Sequence, residues 1–372
     1  MFFDNQYIYS SLFILRQFLG KTFPNPPVVA LLVEYDKNFK NHKIVSFGIT
    51  GKSGRPHAEA VAIKNFTFNS RKKYTLYSTL EPCSHKGRGN SCVSEILKSK
   101  IHRVVFCLLD PDFRVRGKGA KILKQNGIEV FHGLMEKEAY KIYEGYFFNR
   151  IKRRPLVTIK FATSLDGKIS EKKNKFSQIT NKKSQKYLHI MRSMHDAVLV
   201  GSNTVRIDDC ILTSRLEGLK NFSPIRVILN RKFDLPENKK IFKDAKKYRT
   251  IIFTEKKNHM KKISKSDFEV IEVEKKQYNL KFILEKLAEI GVCNLLVEGG
   301  AKIFNSFLHS KYCDKIMIFR GNFFIGKQGL DALSSNYDLK KNDLEFNLIA
   351  LNKFEQDHLE IFEKTRNSLI LK

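Results

Sequence analysis

Apolar residues recur along the chain in two alternating rhythms. Ile8, Leu12, Leu15 and Leu19 stand at helical spacing in an apolar stretch over residues 7–19, which predicts an amphipathic first helix packed on a sheet. Short apolar runs at 28–35, 74–79, 104–109 and 128–131 predict strands, and the segments after His57 and after Cys92 predict helices. Pro56 and Pro82 each precede a polar, chemically competent residue, where proline suits a first helical turn, so both helices are expected to aim their N-termini at one spot. The basic run Lys152-Arg153-Arg154-Pro155 punctuates the chain. Beyond it, strands are expected at 156–161, 197–200, 225–229, 250–253, 294–297 and 315–319, with helices near 184–192 and 280–287. Strands alternating with helices imply a three-layer α/β sandwich over residues 1–150 and a second α/β domain over 151–372. No internal repeat interrupts this order.

Two domains also suit 372 residues, and a hydrophobic content of 42% supplies both cores. No apolar run approaches a membrane span. The N-terminal stretch lacks a basic leader and carries Asp4, so a cytoplasmic protein is expected, with no membrane partner. Six cysteines do not make a disulfide scaffold; Cys107, Cys210, Cys293 and Cys313 are scattered without ligand spacing. The formal charge of +30 raises a nucleic-acid reading, but the excess is +12 over the first 150 residues and +18 over the rest, near proportion to length. Doublets such as Lys172-Lys173, Lys182-Lys183, Lys239-Lys240 and Lys261-Lys262 read as solvated faces, and abundant Lys, Asn, Phe and Ile with no Trp reads as composition bias. Nucleic acid is therefore the disfavoured partner, while a basic protein still attracts a phosphorylated small substrate.

Residues 56–92 carry the chemistry. Pro56-His57-Ala58-Glu59, Glu81-Pro82-Cys83 and Cys92 supply one imidazole and two thiolates, three ligands for a tetrahedral Zn2+ with its fourth position open to water. Glu59, two residues after the histidine, is the group to move that water's protons. The order His-x-Glu then Pro-Cys is that of nucleobase-type zinc deaminases, in which the glutamate is general acid and base without binding metal. Here the second cysteine follows the first by nine residues instead of three.

Taken together the motifs resemble the RibD family of bifunctional riboflavin-biosynthesis deaminase/reductases over nearly the whole chain. In the first half the resemblance rests on Pro24-Asn25-Pro26, on the histidine and cysteine motifs with Ser84-His85, Gly87-Arg88 and the long cysteine spacing, and on Asp110-Pro111 with Val115, Gly117 and Gly119. In the second it rests on the run Lys160-Phe161-Ala162-Thr163-Ser164-Leu165-Asp166-Gly167-Lys168, on Gln178-Ile179-Thr180, on Gly201-Ser202-Asn203-Thr204, on Asp208-Asp209 with Leu212-Thr213 and Arg215, and on Val297-Glu298-Gly299-Gly300. The resemblance implies a cytidine-deaminase-like three-layer α/β/α domain followed by a dihydrofolate-reductase-like α/β domain. It implies hydrolytic deamination of 2,5-diamino-6-(5-phosphoribosylamino)pyrimidin-4-one and then NADPH-dependent reduction of the ribosyl chain to ribityl, in a homo-oligomer. Asn25 and His85 would orient the pyrimidine. Lys160, Ser177, Leu212 and Glu298 would meet the reductase substrate, with Arg192 and Arg215 on its phosphate, a role suited to guanidinium. Ala162, Gln178, Thr204, Asp208, Gly299, Gly300, Ala301 and Lys302 would line the NADPH site, the two glycines permitting backbone approach to phosphates.

Several positions depart from the family pattern. Pro27, Val28 and Val29 follow Pro26 where Asn, Val and Gly are usual, Asp112-Phe113 replaces Asn-Pro, Phe176-Ser177-Gln178-Ile179-Thr180 lacks the usual tryptophan, and Cys210 replaces proline. Two rival readings therefore stand beside the bifunctional enzyme: a deaminase with a degenerate second domain, and a basic nucleic-acid deaminase or RNA-binding protein.

Overall fold

In a computed structural model, residues 2–36, 41–85, 89–172, 175–255, 267–332 and 345–365 are described. Gly87, Arg88, Lys173, Lys261 and Lys262 lie outside them. The chain divides into two compact units, Met1–Arg154 with Glu289–Gly291, and Pro155–Ala288 with Val292–Lys372.

The first unit runs α1 (Phe2–Arg16), β1 (Val29–Tyr35), β2 (His42–Ile49), α2 (Ala58–Lys64), β3 (Lys73–Leu80), α3 (Cys92–Lys98), β4 (Arg103–Leu108), α4 (Lys118–Gln125), β5 (Glu129–His132) and α5 (Glu136–Lys152). Its sheet has the order β2-β1-β3-β4-β5, antiparallel among β2, β1 and β3 and parallel from β3 to β5. The period-2 alternation of strands sorts the helices. Ala30, Leu32, Tyr74, Leu76, Val104 and Phe106 form one core with Ala58 and Ala62 of α2, Val93 and Ile96 of α3, and Ala120 and Leu123 of α4. On the opposite face Tyr77 donates to Asp4 of α1 (2.6 Å), and Thr79 bonds Tyr143 of α5 (2.7 Å). The result is three layers, α/β/α.

Helix α1 buries Ile8, Leu12 and Leu15 as their spacing predicts, but Leu19 lies beyond its end. Its register is fixed by a charge: Asp4 receives Nη1 and Nη2 of Arg103 at 2.7 and 2.9 Å. Burial opposes ionisation of Asp4, yet the bonds from Arg103 and Tyr77 hold its carboxyl below the usual value. Helix α5 shows no amphipathic stripe in the sequence because residues 143–149 are all buried. Edge strand β2 likewise mixes exposed Ile44 and Phe47 with buried Ser46.

The second unit runs β6 (Leu156–Thr163), β7 (Lys168–Ser170), α6 (Lys182–Met194), β8 (Ala197–Gly201), α7 (Ser202–Asp208), β9 (Ile225–Leu229), α8 (Lys240–Lys243), β10 (Thr250–Glu255), β11 (Glu269–Val273), α9 (Leu280–Glu289), β12 (Asn294–Glu298), α10 (Ala301–His309), β13 (Lys315–Arg320), β14 (Leu330–Asp331), β15 (Phe346–Phe354) and β16 (Asp357–Lys364). Its main sheet has the order β11-β10-β9-β8-β12-β6-β13-β16-β15, parallel from β11 to β13 and closed by the antiparallel β15–β16 hairpin, while β7 pairs β14 separately. Strands β8, β12 and β6 therefore lie side by side with their C-terminal ends together, the edge at which open parallel sheets bind ligands. Residues 346–364 escape the sequence pattern because Leu348, Ile349 and Leu351 face outward.

Phe106 is wholly buried in the first core and stacks on His132. Phe106→Ala is expected to lower unfolding free energy by about 3–5 kcal/mol, read from the urea midpoint at unchanged slope; a loss under about 1 kcal/mol would mean that this core does not hold the unit together.

Candidate active sites

In the first unit the chain brings its three predicted ligands to one point. His57 is the extended residue preceding α2, Cys92 is the first residue of α3, and Cys83 sits between them just past β3. Ser91 caps α3, accepting from Ser94 N–H at 3.1 Å. His57 Nδ1 lies 3.2 Å from Cys92 Sγ and 3.5 Å from Cys83 Sγ, and the two sulfurs are 3.5 Å apart. Cys92 N–H points at Cys83 Sγ at 3.4 Å. The placement of the prolines differs from expectation: Pro56 precedes the extended residue His57 that leads into α2, and Pro82 leads into an irregular segment, so neither opens a helical turn. The ligands converge because two helix starts meet the end of one strand.

Glu59, in the first turn of α2, is buried with Oε2 3.3 Å from Cys92 Sγ. Burial raises its carboxyl above the usual range, with the negative Cys83 adding to the effect. The hydrogen bond from Cys92 is the main force holding the Cys83 thiol down at about 4, while that same contact and burial raise Cys92; the bond with Cys83 raises His57. One nitrogen and two sulfurs within 4.8 Å of one another, partly to fully buried, fit a zinc ion and leave Glu59 beside it.

Around this centre, Asn25 Nδ2 donates to Gly54 O at 3.0 Å, three residues before His57. Gly54 has φ of 80°, and a Cβ there would come within 2.6 Å of Asn25. His85, two residues after Cys83, has a buried Nδ1 with no hydrogen-bond partner among the described residues. The departures at 27–29 belong to the framework: Pro27 O accepts from Tyr143, Val28 N–H donates to Thr50, and Val29 opens β1. Glu81 belongs to the cysteine motif, but nothing in its spacing assigns it a role. It accepts N–H bonds from Asp110, Gly117 and Ala120, and only the burial of those amides reveals this. Asp112 pairs with Arg114 and Arg150, leaving Phe113 74% exposed.

In the second unit the last residue of β12, Glu298, lies directly opposite Lys160 in the C-terminal half of β6. Arg192, from α6, grips Glu298 with Nε and Nη2 at 2.7 and 2.8 Å and sends Nη1 to Thr213 O at 3.2 Å. Burial opposes ionisation of Glu298, but Arg192 and Lys160 hold its carboxyl down. Burial also lowers Lys160 and raises Asp208 to about 6, despite the attraction between them. Arg215 is exposed, with its guanidinium 3.3 Å from His189. Leu212 has φ of 61°, and the wholly buried Arg226 fixes the preceding residue by donating to Ile211 O at 3.3 Å.

Lys160, Asp208, Arg192, Glu298, Leu212 and Arg215 are thus gathered, together with Thr213 and with His189 and Arg226, which carry no motif signal. Ser177 is tied into its own loop by Ser170 (3.1 Å) and Glu171 N–H (2.9 Å), and Gln178 turns to Thr180 O (2.7 Å). Thr204 lies in α7 and Ala162 in β6 opposite Phe319. Gly300 precedes α10, whose first residues are Ala301 and Lys302, and a Cβ at Gly300 would meet nothing within 4 Å. Open space at a helix start fits the phosphates of a dinucleotide.

A buried His-Cys-Cys site with an adjoining carboxylate, followed by a parallel-sheet unit with charged strand ends, defines a zinc-dependent deaminase joined to a nucleotide-dependent reductase. Residues 5–108 match the cytidine and deoxycytidylate deaminase zinc-binding region, and residues 155–359 match the RibD C-terminal domain. The riboflavin biosynthesis protein RibD of Aquifex aeolicus is 36% identical over 349 residues, covering 92% of this chain and 95% of that protein. Its counterpart in Bacillus amyloliquefaciens is 33% identical over 87% of this chain and 85% of the relative. Among solved structures, Acinetobacter baumannii RibD superposes with a TM-score of 0.87 at 27% identity, covering 98% of this chain and 99% of that one. The Thermotoga maritima diaminohydroxyphosphoribosylaminopyrimidine deaminase/5-amino-6-(5-phosphoribosylamino)uracil reductase superposes with a TM-score of 0.84 at 30% identity, covering 97% and 99%. The chain belongs to the RibD family: it is a bifunctional deaminase and reductase of riboflavin biosynthesis that uses zinc and NADPH and acts on a small molecule. Among the described residues no helix is long and apolar enough to cross a membrane.

Asp110, in the loop that Glu81 holds, accepts from Asp112 N–H (2.8 Å) and Tyr146 OH (3.0 Å), and burial pushes its carboxyl up to about 7. An acid raised on folding contributes stability below its unfolded value, about 3.9, and loses it as pH rises to the folded value. Asp110→Asn keeps an acceptor and cannot ionise. Urea unfolding across the range from acid to mildly alkaline pH is expected to show the parent losing stability relative to the variant until about pH 7; parallel curves would refute the assignment.

Proposed function

We propose that residues 1–150 form the deaminase and 151–372 the reductase, acting in that order on 2,5-diamino-6-(5-phosphoribosylamino)pyrimidin-4-one. The observation that carries the reading is the convergence of His57, Cys83 and Cys92 beside buried Glu59. His57, Cys83 and Cys92 hold the zinc, which when bound supplies a Lewis acid that lowers the pKa of water. Glu59 takes the proton as the amine-bearing carbon is attacked and delivers it to departing ammonia. Asn25 and His85 orient the pyrimidine, His85 through its unpartnered Nδ1.

In the reductase, NADPH supplies the hydride. Lys160 and Glu298 border the ribose, with Ser177 and Leu212 at the substrate's flank. Arg215, exposed, meets the phosphate. Arg192 acts there with its donors already directed to Glu298 and Thr213, so it contributes charge behind Arg215. Ala162, Gln178, Thr204, Asp208 and residues 299–302 line the cofactor site. The substrate is a phosphorylated pyrimidine and not nucleic acid, and the protein works in the cytoplasm as a homo-oligomer.

Mass spectrometry of products is expected to show amine-to-carbonyl exchange alone without NADPH and a further gain of two hydrogens with it; exchange without that gain would mark a degenerate reductase. Glu59→Gln should reduce deamination by about 10²- to 10⁴-fold while zinc content stays at one per chain. Undiminished turnover would remove Glu59 from the mechanism.

A further inference from the structure

The groups around Arg215 specify the state of a residue outside every motif. His189 and Arg192 stand three apart on α6 and so share a face. Both donate to the same acceptor, Thr213 O, His189 through Nδ1 at 3.1 Å and Arg192 through Nη1 at 3.2 Å. Ser214 Oγ returns a bond to His189 O at 3.0 Å. The chain from 212 to 215 is thereby strapped to α6, and Arg215 Nε and Nη2 come to 3.4 and 3.3 Å from His189 Nε2.

The chemistry of these partners leaves one assignment. A carbonyl only accepts, so Nδ1 carries the proton; a guanidinium only donates, so Nε2 presents its lone pair. Burial lowers the pKa of His189, and Arg192 and Arg215 lower it further against the opposing Thr213 carbonyl and Glu298 carboxylate.

We infer that His189, as the neutral Nδ1–H tautomer, is a positioning residue of the reductase that holds the Arg215 guanidinium in place for the substrate phosphate. The inference rests on the proposed phosphate role of Arg215. A long exposed arginine otherwise loses rotamer freedom when it binds; one acceptor beneath its fork removes part of that cost without touching the substrate. Because the hydride-transfer centre is not involved, the effect falls on binding and not on turnover.

The test is steady-state reductase kinetics on the full chain with the phosphorylated ribosylaminouracil and with its phosphate-free ribosyl analogue. His189→Leu is expected to raise KM for the phosphorylated substrate about tenfold, with kcat little changed and the phosphate-free analogue indifferent. His189→Gln, which restores an acceptor near Nε2, should recover most of the loss; His189→Asn, which keeps only the Nδ1-like donor, should not. The double variant His189→Leu/Arg215→Met should be no worse than Arg215→Met alone. If Arg215→Met raises KM and His189→Leu does not, the phosphate role stands and the inference falls. If Arg215→Met leaves KM unchanged, the phosphate assignment fails and takes the inference with it. Should His189→Leu not fold, equal KM values for the Gln and Asn variants overturn the inference. Nitrogen NMR reads the tautomer independently, and a protonated Nε2 at neutral pH contradicts it.

Discussion

A single buried carboxylate organises the zinc end of the first unit. Glu81 continues the line of β3, its own N–H bonded to Leu108 O at 3.0 Å, and turns both oxygens to the amides of Asp110, Gly117 and Ala120. Those amides belong to the loop after β4 and the start of α4, and unmet they would each cost about 1–3 kcal/mol. The loop can come this close only because position 119 is glycine: a Cβ there would sit 2.3 Å from Pro82 O. Cys83 follows directly, so the ligand's position depends on a contact made by its neighbour but one. Glu81-Pro82 and Gly117-Lys118-Gly119, far apart in sequence, are halves of one device.

The two units solve the problem of buried charge differently. The deaminase site collects its ligands at helix starts and strand ends and leaves one carboxylate, Glu59, raised toward its neutral form. The second unit instead keeps a buried carboxylate ionised by pairing it: Glu298 is enclosed by Arg192 and Lys160. A buried pair of this kind is weak evidence for stability, because desolvation opposes the attraction. What it does provide is a fixed geometry at the strand ends, which a flexible pair of exposed side chains would not.

Elements with a clean period are legible in the sequence: the first helix by Ile8, Leu12 and Leu15, and the strands of both sheets other than β2, β11 and the β15–β16 hairpin, within a residue or two at most ends. The zinc ligands are legible because residue type, order and spacing all bear on one chemistry. Helix α5 is not, since its second half, residues 143–149, is buried on every side and has no polar face to set its period. The β15–β16 hairpin is not, since its apolar residues point outward. His189, Arg226 and Glu81 act through backbone amides and carbonyls, and a sequence carries no mark of which carbonyl a side chain will find. The fragments Gly-Gly and Asp-Asp give positions without contacts, and the structure adds the open space at Gly300 while turning Ser177 and Gln178 back into their own loop.

The pairing of Glu298 with Lys160 across β12 and β6 carries a further consequence. Side chains on a strand alternate faces, so a slip of one residue between these strands would send Glu298 away from both Lys160 and Arg192. The apolar residues around it, Leu295, Leu296 and Val297, are buried on both faces of the sheet and so discriminate poorly between the two alignments. The ionic groups at the strand ends discriminate strongly, because the wrong alignment strands three charges in the interior. The charged side chains of this pair thus favour one alignment of the two strands over its neighbour.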